Sequence, residues 1–240
     1  MSTLKTTIYH FVVLWVMGLT LFACSSKSTE DQTSSEKADV NDSSQTNKMP
    51  LAKKQTILFF GNSLTAGYGL DPTEAFSSLI QKKIDSLKLP YTVINAGLSG
   101  ETSAGGKARI SWVLRQPVDI FVLELGANDG LRGIELSDTR KNLQAIIDTV
   151  KARNPDTKLV LAGMQMPPNL GKKYITEFKE LYPKLAEANQ AVLIPFLLDK
   201  VAGIPSLNQA DGIHPTAEGN KIVAENVWAV LQPLLTQPSL

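Results

Sequence analysis

Cysteine is almost missing from this 240-residue chain. The only one is Cys24, so there is no disulfide framework, and no thiol is available for catalysis or metal binding in the body of the protein. Histidine is nearly as scarce, with His10 and His214 as the only two. Neither sign of charge is in excess: 24 lysines and arginines against 23 aspartates and glutamates leave +1, which gives no basic footprint for nucleic acid. There is no G-x-x-x-x-G-K-[ST] loop, and Gly61-Asn62-Ser63-Leu64-Thr65-Ala66-Gly67 offers no lysine to a phosphate. Long apolar runs are also lacking. The longest, residues 11–22, is short for a bilayer span, although an uncharged stretch reaches back to Thr6 and leaves a retained anchor open. With 43% hydrophobic residues, what remains suits one ordinary globular domain plus an extra amino-terminal part.

That extra part begins with Lys5, continues through the apolar core 11–22 and turns abruptly polar after Ala23-Cys24. Residues 1–23 are the outline of a signal peptide that is removed. Leu21-Phe22-Ala23-Cys24 resembles the lipobox of bacterial lipoproteins, with Phe22 larger than the residue usual there. The resemblance implies cleavage before Cys24 and lipidation of that cysteine; a buried cysteine that happens to lie in a signal sequence is the alternative. Residues 25–50 are almost entirely Ser, Thr, Lys, Asp, Glu, Asn and Gln, too polar to fold, so 24–50 is expected to be a disordered, lipid-anchored tether. The expected location is the bacterial cell envelope, periplasmic or outer surface, with the membrane reached through Cys24.

From residue 51 to 240, short β-rich apolar runs alternate with stretches of helical period. Strands are expected at 56–60, 91–95, 120–124, 159–162 and 191–195. Helices are expected at 73–87, 103–114, 137–153, 175–189 and 216–234. Strict alternation predicts an α/β fold, a three-layer α/β/α flavodoxin-like domain with a five-stranded parallel sheet. The continuous apolarity of Ile57-Leu58-Phe59-Phe60 and of Ile120-Phe121-Val122-Leu123 suits strands covered on both faces.

In such a sheet, groups that act on ligands lie beyond the carboxyl ends of the strands. Ser63 follows the first strand, where free N–H groups of the next helix can stabilise negative charge; as a bare turn, Gly61-Asn62-Ser63 reads equally as a capping motif. The loop 95–103, spaced by Gly97 and Gly100, can aim an N–H at the same crevice, or its glycines can simply serve a turn. Asn128, in Gly126-Ala127-Asn128-Asp129-Gly130, places an amide donor there, or belongs to a turn. The apolar loop 164–169, with Leu170 and Phe178 nearby, suggests an acyl or aryl pocket, or packs as core. Asp211-Gly212-Ile213-His214-Pro215 precedes the last helix. A serine needs a base to attack at neutral pH, and with His10 in the segment to be removed, His214 is the one imidazole left. Asp211, three residues earlier, is placed to orient it.

Four blocks then stand in order across the domain: Gly-Asn-Ser-Leu-Thr-Ala-Gly-Tyr-Gly at 61–69, Ala-Gly-Leu-Ser-Gly-Glu-Thr-Ser at 96–103, Gly-Ala-Asn-Asp at 126–129 and Asp-Gly-Ile-His-Pro at 211–215. Together they resemble the SGNH or GDSL-type serine hydrolases. The stretches 124–133 and 165–171 are similar to the thioesterase I, lysophospholipase and arylesterase branch. The resemblance implies Ser63 as nucleophile, Asp211 and His214 as its triad partners, and an oxyanion hole from Ser63, Gly100 and Asn128. It implies a serine esterase acting on a small-molecule ester (aryl, short-to-medium acyl, lysophospholipid or thioester) through an acyl-enzyme; a monomer with no cofactor and no metal is expected. A glycan O-acetylesterase is the alternative within the family. A flavin or nucleotide carrier of the same architecture is the alternative outside it, separable by a bound chromophore. Asn62 stands where the family usually has Asp. An amide keeps an acceptor oxygen but loses the charge, and activity is expected to survive that change.

Overall fold

The computed structural model describes residues 54–236. The segment read as a signal peptide, the tether and Cys24 lie outside the described residues. In chain order the regular elements are β1 (Gln55–Gly61), α1 (Ser63–Ala66), α2 (Phe76–Ser86), β2 (Tyr91–Gly97), α3 (Ser103–Val113), β3 (Ile120–Glu124), α4 (Ala127–Leu131), α5 (Leu136–Arg153), β4 (Lys158–Ala162), α6 (Lys172–Asn189), β5 (Val192–Ile194) and α7 (Ala217–Thr236).

The strands form one five-stranded parallel sheet, as the alternation of apolar runs and helical stretches predicts, and their order in it is β2-β1-β3-β4-β5. From β1 the chain first steps outward to β2, then runs back the other way through β3, β4 and β5. Right-handed crossovers therefore put α2 on one face and α3, α5 and α6 on the other. Packing follows that division: α2 lies against α7, while α3 meets α5 and α5 meets α6. Phe59, Phe60 and Phe121 are fully buried between the layers. Side chains of this size contribute roughly 1.5–3 kcal/mol each when taken out of water. The edge strand β2 shows the opposite character, with several of its residues exposed.

The expected helix at 73–87 differs from the structure. A 3-10 turn at Pro72–Glu74 comes first, Ala75 is extended with ψ 140°, and α2 starts only at Phe76. Ala75 packs directly against Gly67, and a Cβ on Gly67 would collide with the Ala75 methyl. That tertiary contact overrides the local helical period.

The reversal of strand order falls at β1. Its last residue, Gly61, pairs in register with Gly97 of β2 and Glu124 of β3, so the chain leaving β1 enters the crevice between the loops that follow both neighbours. Glycine at 61 is required by space, because a Cβ would run into the Thr65 hydroxyl and the Glu124 carboxylate.

Candidate active site

The turn out of β1 is built by Asn62. This buried side chain caps α1 by accepting the Leu64 N–H at 2.9 Å, which leaves Ser63 as the first helical residue, half-buried and facing the crevice. On the far side of that crevice, the loop before α7 brings His214 Nε2 to 2.8 Å from Ser63 Oγ, across 151 residues of sequence. His214 Nδ1 lies 2.6 Å from Asp211 Oδ2, and Asp211 Oδ1 accepts the N–H groups of Ile213 and His214, both at 3.0 Å.

Desolvation pushes the Asp211 carboxyl up. The hydrogen bond from the His214 ring and the two backbone N–H groups outweigh it and hold the carboxyl at about 2. An ionised Asp211 fixes the hydrogen on Nδ1, so Nε2 presents its lone pair to the serine hydroxyl. This loop is in turn tied to the segment after α1. Gln209 Nε2 donates to the carbonyls of Tyr68, at 2.7 Å, and Pro215, at 2.9 Å, and Gln209 N donates to His214 O at 2.7 Å.

Ser63, Gly100, Asn128 and His214 line one cavity of about 600 Å³. Among the described residues, the N–H groups of Ser63 and Gly100 find no protein acceptor. One hydrogen of the Asn128 amide is committed to Glu101 O at 3.0 Å, and the other remains available. The loops that carry these donors are braced from behind. Arg109 grips Glu101 with two hydrogen bonds, at 2.8 and 2.5 Å, also donates to Ala96 O at 2.9 Å, and lies over the Phe60 ring at 4.2 Å. Buried Asp129 accepts from Ser103 N at 2.8 Å and Ser103 Oγ at 2.5 Å, joining the segment after β3 to the start of α3. Ser63, Gly100 and Asn128 thus bring to one cavity wall donors that have no protein partner, the kind of group that can stabilise charge on a reacting oxygen.

The rest of the cavity wall is mostly apolar, with Ala127, Leu131, Met164, Met166, Pro167 and Phe196 among its residues. Its volume is in the range of ordinary small-ligand pockets. The expected wall at 164–169 lies here through 164–168. Phe178, offered as a neighbour of that wall, is instead fully buried in the core and does not line the cavity, and Leu170 does not line it either.

Sequence reasoning missed Glu124, the last residue of β3. It is 1% exposed and receives Asn62 N–H at 3.0 Å, Asn62 Nδ2 at 2.7 Å and Thr65 Oγ1 at 2.8 Å. Burial pushes its carboxyl up, and these donors pull it back only as far as about 7. A charge inside the otherwise apolar run 120–125 was the available signal. Gln209, Arg109 and Asp129 carried no such signal, since their partners lie on other elements.

Over residues 59–222 the sequence matches the GDSL-like Lipase/Acylhydrolase family. It is 41% identical over 185 residues to Esterase TesA of Pseudomonas aeruginosa, a match covering 77% of this chain and 91% of that protein. It is 38% identical over 189 residues to Thioesterase 1/protease 1/lysophospholipase L1 of Escherichia coli, covering 78% of this chain and 88% of that one. Among solved structures, the psychrotrophic esterase EstA from Pseudoalteromonas sp., inhibited by monoethylphosphonate, superposes with a TM-score of 0.72 at 32% identity, over 77% of this chain and all of that one.

Proposed function

Because the chain belongs to the GDSL-like Lipase/Acylhydrolase family and is a hydrolase, we propose that it cleaves carboxylic esters through an acyl-enzyme on Ser63. The observation that carries this reading is the 2.8 Å approach of His214 Nε2 to Ser63 Oγ, backed by Asp211 on the other ring nitrogen.

In this scheme His214 takes the hydroxyl proton as Ser63 Oγ attacks the ester carbonyl. The imidazolium that forms shares its Nδ1 hydrogen with Asp211. The carbonyl oxygen becomes an oxyanion among the N–H groups of Ser63 and Gly100 and the Asn128 amide. Its collapse expels the alcohol, which receives the proton from His214. Water then attacks the acyl-serine by the same route and releases the acid. Either an ester or a thioester carbonyl fits these steps.

The apolar wall around Met164, Met166 and Leu131 supports an aryl or short-to-medium acyl group over a sugar-bound acetate. The composition of residues 1–50 supports a place at the cell envelope, held by lipid on Cys24. Growth in radiolabelled palmitate, comparing wild type with Cys24→Ala, tests that placement through label on the protein.

The activity is tested with nitrophenyl esters from acetate to palmitate, run beside an acetylated oligosaccharide, and with an alkyl phosphonate followed by peptide mass mapping. Turnover of the nitrophenyl series and a phosphonate adduct on Ser63 are expected. Ser63→Ala with full activity, or an adduct elsewhere, overturns the scheme, and preference for the oligosaccharide selects the deacetylase.

A further inference from the structure

The turn that presents Ser63 hangs from one buried carboxylate, and every hydrogen bond between them runs in the same direction. Glu124 Oε2 accepts from Asn62 N at 3.0 Å and from Thr65 Oγ1 at 2.8 Å, while Glu124 Oε1 accepts from Asn62 Nδ2 at 2.7 Å. The other end of the same amide, Asn62 Oδ1, accepts from Leu64 N at 2.9 Å. Asn62 therefore spends both halves of its side chain, one as donor and one as acceptor, and a carboxylate at 62 has no hydrogen to give. Facing Glu124 from α6 is Tyr182, whose hydroxyl donates to Leu125 O at 3.0 Å. Asp129 of α4 lies near that phenol as well. Among the described residues no lysine, arginine or histidine forms an ion pair with Glu124.

We propose that Asn62 and Glu124 are a matched amide–carboxylate pair that positions the Ser63 turn, the amide supplying the hydrogen that a carboxylate at residue 62 would have to hold as a shared proton. The proposal rests on Ser63 being the nucleophile. Both are positioning residues: Asn62 borders the cavity and its Oδ1 lies 3.4 Å from Ser63 Oγ, but a neutral amide takes up no proton there, and Glu124 is buried behind it.

The geometry fixes what each substitution does. In Asn62→Asp, two carboxylates face each other across the distance now bridged by the amide, and one proton must stay between them. As pH rises that proton leaves, like charges repel, and the turn opens. In Asn62→Asp combined with Glu124→Gln, the hydrogen bonds are restored with one reversed. The glutamine oxygen takes the place of Oε2 and accepts from residue 62 N–H and Thr65, and its NH2 takes the place of Oε1 and donates to the carboxylate now carried by residue 62.

The test measures kcat and KM on nitrophenyl butyrate for the wild type, both single variants and the double variant, with thermal unfolding at each pH. Relative to wild type, Asn62→Asp is expected within about threefold at pH near 6 and roughly tenfold or more lower at pH near 9. The loss should lie in kcat rather than KM, with a Tm deficit that widens in parallel. The double variant should return to within about threefold of wild type at both pH values. A ratio of Asn62→Asp to wild type that is constant across pH overturns the pair. So does a double variant whose loss equals the product of the two single losses. If Ser63→Ala kept its activity, the nucleophile assignment would fall while the unfolding measurements still decided the pair.

Discussion

The ring of Tyr68 rests against the imidazole of His214, with centroids 4.7 Å apart and planes tilted by 39°. Together with Gln209, which ties the Tyr68 carbonyl to the His214 loop, this contact limits where the ring can swing. Tyr68→Ala is therefore expected to lower kcat/KM on a soluble nitrophenyl ester roughly tenfold, about 1.4 kcal/mol at the transition state. Tyr68→Phe, which keeps the ring, should stay near wild type. Tyr68 is 52% exposed, so the unfolding temperature should move little in either variant. A large Tm drop with an unchanged kcat would contradict this role.

Asn128 has one amide hydrogen bound to Glu101 O and one free at the cavity. Replacing it with alanine removes a donor that matters most once charge has formed on the substrate oxygen. The expected cost is about 10²–10³ in kcat with KM nearly unchanged. Steady-state kinetics on one ester checks the split; a loss confined to KM would instead make Asn128 a ground-state contact.

Met164 and Met166 are both buried while lining the cavity, so their bulk sets the room beside Ser63. Met166→Trp should fill part of that room. It is expected to lower kcat/KM for octanoate by at least about tenfold more than for acetate, since each methylene lost from a pocket is worth about 1–3 kcal/mol. Equal losses on both esters would place the acyl chain elsewhere.

How much of this could be read from the sequence depends on how local each cause is. β3 is found at the expected 120–124 because a short apolar run ends sharply at Gly126, and burial on both faces needs only that run. The parallel direction of the strands follows from strict alternation. Ser63, Asp211 and His214 could be singled out because just one imidazole remains outside the amino-terminal segment, and the structure brings the three side chains together. Ala75 was not legible, since its extended backbone answers to Gly67 on another segment. Gln209 looks like any surface glutamine until its bond to Tyr68, 141 residues away, is known. Asn62 stands out in the sequence as a departure, but its meaning lies in Glu124, 62 residues further on.

Glu124 also predicts a pH dependence of stability. Burial first, and only partial compensation by Asn62 and Thr65, lifts its carboxyl from 4.5 to about 7 in the folded protein. A folded state that holds the proton more tightly than the unfolded chain is favoured at low pH. That advantage is present in full below 4.5 and disappears as pH rises through about 7. The total is on the order of 3 kcal/mol. Glu124→Gln cannot titrate here, so it should lack this component of the slope, whatever constant cost its misplaced NH2 imposes. Urea unfolding of both proteins at intervals from about pH 5 to about pH 8 checks the sign: the stability difference should shift toward the variant as pH rises. A difference that stayed flat over this range would mean that Glu124 is ionised throughout it, with the donors of the Ser63 turn outweighing burial.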